Sequence, residues 1–382
     1  MLQFFRIIGV PLLLLMVLLT SVIAQDSREN QIQRMLAGIA GPTEPGVAVL
    51  VRKDGKTQIQ VARGVRDLRS RSILDGSTNF RLASCTKEFT AMAIMLLVHD
   101  GKLRYDEHLT DIFPEFPGYG RTIAIYQLLN HTSGLPDYED LMDKASAGKR
   151  PLWSAEHQIT DAEVLKLLET EERGKFVPGK HWAYSNSGYV VLGLIVAKVS
   201  GQSFPEFLRD RIFTPLGMND SLAYVKGSND VRNRAYGHST ENGAIIETDQ
   251  SPTSATLGDG GIYSNLQDLA KWDEALSQHA LLSEAEMRAA LIPVATPEGA
   301  PHWDSGPGDA DPLAGRPVWY GFGWFLDPYK DHARMWHYGE TAGFKSSIQR
   351  FTKENLTVIV LTNRTDIDAI NLSLQIAGLY LK

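Results

Sequence analysis

Strand patterns occur at both ends of the chain, and helical patterns fill the sequence between them. Near the N-terminal end, the apolar, β-branched segments Gly46–Val51 and Thr57–Val61 flank an Asp-Gly pair, which is typical of a hairpin turn. Near the C-terminal end, Ser346–Phe351 and Thr357–Leu361 predict a second hairpin, and an apolar helix is predicted over Asp366–Leu381. This order predicts an α+β fold, in which an antiparallel sheet built from both chain ends is flanked by helices and carries an inserted, mostly helical lobe.

The first 24 residues have the pattern of a signal peptide. Arg6 precedes the apolar stretch Ile7–Val22, and the small residues Val22 and Ala24 precede a suitable cleavage point. The alternative is an uncleaved membrane anchor, because the apolar run is near the lower limit for spanning a bilayer. We expect a signal peptide at 1–24 and a single domain at 25–382. Its strand-containing lobe is expected at about 25–98 plus 318–382 and its helical lobe at about 99–317, in an exported protein that is periplasmic or secreted.

Composition narrows the classes of partner. The formal net charge of −7 gives no basic footprint for nucleic acid, and contact with a membrane is expected only through an uncleaved anchor. The single cysteine, Cys85, cannot form an intrachain disulfide, so a core drawn from 43% hydrophobic residues has to stabilise the fold. The chain has no Gly-x-Ser-x-Gly, His-Glu-x-x-His or Cys-x-x-Cys motif, so neither a metal nor a cofactor is implied. A small molecule or peptide is the expected substrate, and the oligomeric state stays open.

Ser84 and Lys87 open a helix that is apolar on nearly every side. Residues three apart lie one above the other on a helix face, so the Lys87 amine can reach the Ser84 hydroxyl. A buried lysine has a lowered pKa and can take the proton of a serine nucleophile. The simpler alternative is that Ser84 is a helix N-cap. Ser146 and Lys149 have the same spacing, but their polar surroundings provide no apolar helix to bury the lysine.

Two further segments offer polar groups for the same chemistry. Tyr184 and Asn186 lie in a predicted turn before an apolar helix, where a tyrosine can relay a proton and an amide can hold a carbonyl. Tyr263-Ser264-Asn265 repeats the pattern, and spacing alone does not exclude it. In Trp336–Phe344, a segment predicted to lead into a strand, His337 precedes Gly339, and a glycine at a strand edge allows backbone N–H groups to approach a bound carbonyl.

In their order along the chain, three motifs resemble those of the serine β-lactamase and penicillin-binding-protein superfamily. They are Ser84-x-x-Lys87, Tyr184-x-Asn186 and His337-x-Gly339. The resemblance is to the class C-like branch, which includes D,D-peptidases, D-aminopeptidases and family VIII esterases. It is supported by Leu128–Pro136, Tyr184–Gly188 and Gly260–Ser264, and together these segments cover almost all of the chain after residue 24.

The resemblance implies a β-lactamase-like fold and an acyl-enzyme mechanism. It implies Ser84 as the nucleophile, Lys87 as base or proton relay, and Tyr184 as the group that passes protons to the leaving group and from the water. Whether Lys87 or Tyr184 is the general base is left open, because coupled groups share their titration.

The resemblance also implies the residues that bind the substrate. Asn186 would bind the substrate amide or ester, and His337 would support the Tyr184 network. The strand edge at Gly339 and the N–H groups of Ser84 and Glu340 would form the oxyanion hole.

One departure from the superfamily's motifs narrows the range of expected substrates. The third-motif lysine that helps hold a substrate carboxylate is replaced by His337, and Glu340 adds a negative charge, although Lys345 can restore a positive one. Neutral esters are therefore expected to be preferred over β-lactams. The alternatives are a D,D-carboxypeptidase or weak β-lactamase acting on cell-wall material, and a non-catalytic binding or sensor protein that keeps the fold.

Overall fold

A computed structural model describes residues 28–148, 150–297, 299, 301–303 and 315–382. The predicted signal peptide at 1–24 lies outside these residues. Within them, no helix is both long and apolar enough to cross a membrane. The strands are β1 Val47–Lys53, β2 Lys56–Arg63, β3 Phe80–Arg81, β4 Leu222–Ala223, β5 His238–Glu241, β6 Ala244–Glu247, β7 Ile262–Ser264, β8 Arg334–Thr341, β9 Phe344–Phe351 and β10 Leu356–Thr362. The helices are α1 at 28–39, α2 Thr86–His99, α3 Leu109–Ile112, α4 Ile125–Leu129, α5 Tyr138–Ser146, α6 Asp161–Glu169, α7 Asn186–Ser200, α8 Phe204–Leu208, α9 Leu266–Gln278, α10 Glu284–Met287 and α11 Ala369–Gly378.

The main sheet joins the two ends of the chain. Its five strands lie in the order β2-β1-β10-β9-β8, with every neighbouring pair antiparallel. Strand β1 pairs with β10 from Val47 opposite Thr362 to Lys53 opposite Leu356. The α+β class and the two hairpins are confirmed, and the boundaries of the two lobes stay a prediction.

Both faces of the sheet are covered. In β1, Val47, Val49 and Val51 pack with apolar residues of α1 and α11, whereas Ala48 and Leu50 point into the larger core around α2. Alternation of side chains along a strand explains this division. Since both faces are buried, β1 and β10 read as continuous apolar runs rather than as alternating ones.

Helix α2 is the centre of the larger core, as its sequence predicts. Twelve of its residues, Thr86 to Leu97, are buried. Helix α7 packs against α2, with Gly193 in close contact with the backbone of Gly258. The packing encloses the first turn of α2, where the candidate nucleophile and base lie.

Two local predictions differ from the structure. Asn186 was predicted to lie in a turn before an apolar helix, but it is the first residue of that helix, because the Ser185 hydroxyl caps the helix by accepting from the Gly188 N–H at 3.0 Å. The segment predicted to precede a strand is itself the edge strand β8. The sequence of β8 mixes polar residues with glycine, which favours a strand only weakly. Pairing with β9 over eight residues determines the conformation of β8.

Candidate active site

Ser84 lies in a tight turn immediately before α2. Residues Ala83–Cys85 form one turn of 3₁₀ helix, and Ala83 has a φ of 49°, an uncommon backbone conformation for a residue with a side chain. The cap position of α2 is Cys85, with no side-chain cap hydrogen bond, so Ser84 is not an N-cap. The strained turn leaves the Ser84 side chain partly exposed at the end of a buried helix.

Lys87 is completely buried and directed at Ser84. Its Nζ donates to Ser84 Oγ at 3.0 Å, to Asn186 Oδ1 at 2.9 Å and to the backbone carbonyl of Asp259 at 3.0 Å. The same ammonium lies 4.8 Å from the ring centre of Tyr184. Three hydrogen bonds use all three donors of the ammonium group, so its orientation is determined.

Burial controls the proton equilibrium of Lys87. Loss of hydration lowers its pKa to about 8, and neighbouring carboxylates, Asp259 first among them, oppose this effect. With this pKa, about one tenth of Lys87 is neutral at pH 7. The lysine can therefore accept a proton from Ser84 near neutral pH.

Tyr184 and Asn186 approach the same point from the start of α7. Burial raises the pKa of Tyr184 well above 10, while a hydrogen bond with Ser84 acts in the opposite direction. Tyr184 is therefore a neutral hydrogen-bond donor at physiological pH. Since the Asn186 oxygen accepts from Lys87, its amide NH₂ can donate to a substrate.

His337 lies behind the cleft and does not form its surface. It is fully buried, its Nδ1 lies 2.6 Å from the Tyr338 carbonyl, and its Nε2 lies 3.0 Å from the Tyr320 hydroxyl. A carbonyl only accepts, so Nδ1 carries the proton and Nε2 accepts from Tyr320. Burial lowers the pKa of His337 to about 3, so it is neutral. This position contacts the Tyr184 ring at 6.3 Å between centroids and offers no direct contact with a substrate.

Gly339 allows β8 to pass directly beside Ser84. A Cβ at Gly339 would lie 2.2 Å from the Leu82 carbonyl oxygen and 2.8 Å from the Ser84 nitrogen. Trp336 exchanges both backbone hydrogen bonds with Phe325, so its N–H points away from β9. By alternation along an antiparallel strand, the N–H of Glu340 also points away from β9, toward the side on which Ser84 lies.

Ser84, Asn186 and Glu340 line a cleft of about 250 Å³, whose lining does not include Tyr184. It is lined by Arg81, Ala83, Ser84, Tyr138, Glu139, Asn186, Ser251, Thr253, Thr256, Asp259, Gly260, Glu340, Thr341 and Ala342. The structure thus brings Ser84, Asn186 and Glu340 to one surface, with Lys87 beneath it and Gly339 beside the Ser84 turn. The alternative Tyr263-Ser264-Asn265 motif does not contribute to this lining: Tyr263 is buried in β7, and Asn265 caps α9.

Acidic side chains outnumber basic ones in the lining of the cleft. Glu139, Asp259 and Glu340 all contribute to it, and desolvation and the nearby carboxylates raise the pKa of Glu139 to about 7. Lys345 does not offer a free cation, because its Nζ is paired with Glu340 at 2.9 Å. Arg81 is buried, and it donates to the backbone carbonyls of Gly260 and Ser254.

A family model described as Beta-lactamase matches residues 33–377 of the chain. The chain belongs to the Beta-lactamase family. The resemblance drawn from the three motifs is confirmed, and the chain is a serine hydrolase of the β-lactamase and penicillin-binding-protein type, which works through an acyl-enzyme.

Several curated and solved proteins are similar to this family member. Penicillin-binding protein 4* of Bacillus subtilis (strain 168) is 30% identical over 355 residues, which are 90% of this chain and 73% of that protein. Protein flp of Staphylococcus aureus (strain MRSA252) is 25% identical over 323 residues, and the match spans 84% of this chain but only 59% of that protein.

Two solved structures have the same fold. The penicillin-binding protein from Bacillus halodurans superposes with a TM-score of 0.72 at 25% identity, covering 93% of this chain and 99% of that one. D-amino acid amidase from Ochrobactrum anthropi SV3 superposes with a TM-score of 0.74, covering 94% and 97%. Its identity is 24%, so this second likeness concerns the fold.

Sequence reasoning missed several residues of this Beta-lactamase-family site. Asp259 is the main one, since it contacts Lys87 although 172 positions separate them. The Gly-Asp-Gly-Gly turn was a detectable signal of close backbone packing, because a Cβ at Gly258 would lie 2.2 Å from the Tyr189 carbonyl oxygen. Tyr138, Glu139 and Arg81 carried no local pattern that separates them from ordinary polar residues.

Proposed function

We propose that the protein is an exported serine hydrolase that forms an acyl-enzyme on Ser84 and hydrolyses esters or amides, with neutral esters preferred. The observation that carries the proposal is the 3.0 Å hydrogen bond between Ser84 Oγ and a buried Lys87 whose pKa is about 8. Export is supported by the signal-peptide pattern of residues 1–24 and by bacterial penicillin-binding proteins among the relatives.

Acylation uses the residues that meet at the turn before α2. Neutral Lys87 accepts the proton of Ser84, and Ser84 Oγ forms a bond to the carbonyl carbon of the substrate. The developing oxyanion is held by the N–H groups of Ser84 and Glu340. The hydroxyl of Tyr184 donates its proton to the leaving alcohol or amine as the ester or amide bond breaks, and Lys87 returns a proton to Tyr184.

Deacylation follows the same path in reverse. A water molecule loses its proton through Tyr184 to Lys87 and attacks the acyl carbon. As the acyl bond breaks, Lys87 returns that proton to Ser84 Oγ, which leaves as its hydroxyl. Asn186 donates its amide to the acyl chain while its oxygen holds Lys87 in place. The high pKa of Tyr184 and the lower pKa of Lys87 support Lys87 as the base, so kcat/KM is expected to rise with pH through about 8.

Charge in the cleft supports the preference for neutral substrates. A substrate carboxylate would meet the carboxyl groups of Glu139 and Asp259. Removing that carboxylate from water would cost free energy that these groups do not return. Lys345 offsets Glu340 through their ion pair, so it is not free to bind a substrate carboxylate.

A second candidate function is a D,D-carboxypeptidase or weak β-lactamase. Such substrates carry a carboxylate, and the observation that favours them is Arg81, whose Nη1 is buried without a hydrogen-bond partner among the described residues. The 30% identity to a penicillin-binding protein also supports this second candidate function.

Intact-mass spectrometry separates these functions. The mature protein is exposed briefly to an activated short-chain ester or to a penicillin, with Ser84→Ala as the test variant. Ser146→Ala is the matched control, since Ser146 belongs to the other Ser-x-x-Lys sequence. We expect an acyl adduct from the ester in the parent protein and in Ser146→Ala, and none in Ser84→Ala.

Each other outcome has a defined meaning. A penicilloyl adduct with no ester adduct supports the second candidate. Ester hydrolysis that continues in Ser84→Ala contradicts the mechanism. No adduct and no hydrolysis of either compound would favour a non-catalytic binding protein that keeps the fold.

A further inference from the structure

Asp259 is held tightly beneath the active-site cleft. It lies in the turn Gly258–Gly261, and its side chain and backbone together are 6% exposed. A Cβ at Gly258 would lie 2.2 Å from the Tyr189 carbonyl oxygen of α7, so the turn is packed directly on that helix. The Asp259 carbonyl accepts from Lys87 Nζ at 3.0 Å, and this bond helps to direct the amine toward Ser84.

The Asp259 carboxylate has no direct cationic partner among the described residues. Its Oδ2 accepts from the Tyr138 hydroxyl at 3.3 Å, and its Oδ1 is buried without a hydrogen-bond partner in the described part of the chain. A buried, incompletely paired carboxylate is costly unless a nearby charge stabilises it. Lys87 supplies such a charge: its ammonium donates to the carbonyl of the same residue, and Asp259 is the strongest of the carboxylates that raise the pKa of Lys87.

We propose that Asp259 is a positioning residue for the base: its carbonyl orients the Lys87 amine, and its carboxylate favours the protonated form of that amine. The proposal rests on the assignment of Lys87 as the base in the proposed function. Burial alone would lower the pKa of Lys87 further, and the negative charge of Asp259 offsets part of that decrease.

Other charged groups face the same region and set the background. Helix α5 contributes Asp137 and Glu139, which act on Lys87 in the same sense as Asp259 but less strongly. Helix α6 contributes Asp161, whose pKa is raised to about 8 by burial and by Asp259. Tyr138 and Tyr184 are kept neutral by burial, as are His131 and His337, and Arg81 also lines the cleft.

Direct titration of Lys87 tests the proposal without requiring activity. The ¹³Cε signals of the protein labelled with [¹³C]lysine are followed against pH, with Lys87→Arg used to assign the signal. In Asp259→Asn we expect the pKa of Lys87 to fall by about one unit, because an opposite charge has been removed. The matched control is Asp140→Asn, which removes the same charge from the exposed side of α5 and is expected to leave the titration unchanged.

The pH profile of kcat/KM gives a second readout. The limb that follows Lys87 is expected to move to lower pH by the same amount in Asp259→Asn and to return toward its original position in Asp259→Glu, which keeps the charge. If Asp259→Asn fails to fold, Asp259→Ser removes the same charge with a smaller side chain. An unchanged Lys87 pKa in a folded, uncharged variant overturns the proposal.

The Lys87 titration and the acyl-adduct measurement together separate this proposal from the proposed function. A shifted Lys87 titration in a protein that forms no acyl adduct would support the role of Asp259 and contradict the hydrolase mechanism. An adduct on Ser84 with an unshifted titration would do the reverse.

Discussion

At the scale of single residues, the chemistry depends on how completely Lys87 is enclosed. Three-residue spacing on a helix places its amine near Ser84, but an exposed lysine with the same spacing would stay protonated. Packing of α2 against α7 and the Gly258–Gly261 turn removes water from the amine. The pKa of about 8 is therefore a property of the assembled core.

Gly339 is expected to tolerate no side chain. In Gly339→Ala, the new Cβ would lie 2.2 Å from the Leu82 carbonyl and 2.8 Å from the Ser84 nitrogen, so β8 and the Ser84 turn would have to separate. We expect kcat/KM for ester hydrolysis to fall by about 100-fold, since a displacement of about 1 Å is enough for such a loss. Gly38→Ala, at a position with nothing within 4 Å, is the control. Full activity of Gly339→Ala would show that the oxyanion donors are elsewhere.

Glu88 makes the stability of the fold depend on pH. It is fully buried and accepts from Trp272 Nε1 at 2.9 Å, and burial raises its pKa from 4.5 to about 7. The folded protein thus holds a proton that the unfolded chain releases, so this contribution to stability is complete below pH 4.5 and is lost as pH rises through about 7. At pH 8, Glu88→Gln should raise the free energy of unfolding by about 1 to 3 kcal/mol. Chemical denaturation at pH 4.5 and 8 measures this, and an equal gain at both values would contradict it.

At the scale of elements, α9 is attached to the main sheet by a buried carboxylate. Asp273 accepts from Arg52 Nε of β1 at 2.8 Å, from Arg350 Nε of β9 at 2.8 Å and from Thr357 Oγ1 of β10 at 2.6 Å. One side chain thereby connects strands from both chain ends to a helix that precedes β8 in sequence. Its removal would leave two buried guanidinium groups without their main partner.

Asp273→Asn should therefore lower the free energy of unfolding by about 3 to 5 kcal/mol. The matched control is Glu274→Gln, which alters the neighbouring, partly exposed partner of Arg52 and should cost less than about 1 kcal/mol. Denaturant titration of both variants provides the comparison. Equal losses of stability in the two variants would mean that the buried carboxylate of Asp273 contributes no more than the exposed one of Glu274.

Elements also differ in how well sequence predicts them. Apolar strands such as β1 and β10 were predicted because their composition alone favours a buried strand. Strand β8 was not, because its glycine and polar residues are explained only by its pairing with β9 and by the close passage of Gly339 past Ser84.

At the scale of the whole molecule, the net charge of −7 and the acidic cleft act in the same direction. For two esters that differ only in a terminal carboxylate on the acyl chain, we expect the neutral ester to have the higher kcat/KM. Raising ionic strength from about 20 mM to about 500 mM should increase kcat/KM for the anionic ester and leave the neutral one nearly unchanged, because salt screens repulsion. Faster turnover of the anionic ester at low salt would instead support Arg81 as a carboxylate-binding group.

Local residue patterns were sufficient to predict the α+β class, both hairpins, the buried α2 and the Ser84–Lys87 pair, because each depends on residues close together in the chain. The lowered pKa of Lys87, the contact between Lys87 and Asp259 and the buried position of His337 behind the cleft are visible only in the tertiary structure. The surroundings of Lys87 come from segments far apart in the chain: 99 positions separate it from Asn186, and 172 separate it from Asp259. Desolvation and charge are summed over every neighbour that packing supplies, and no local pattern contains that sum.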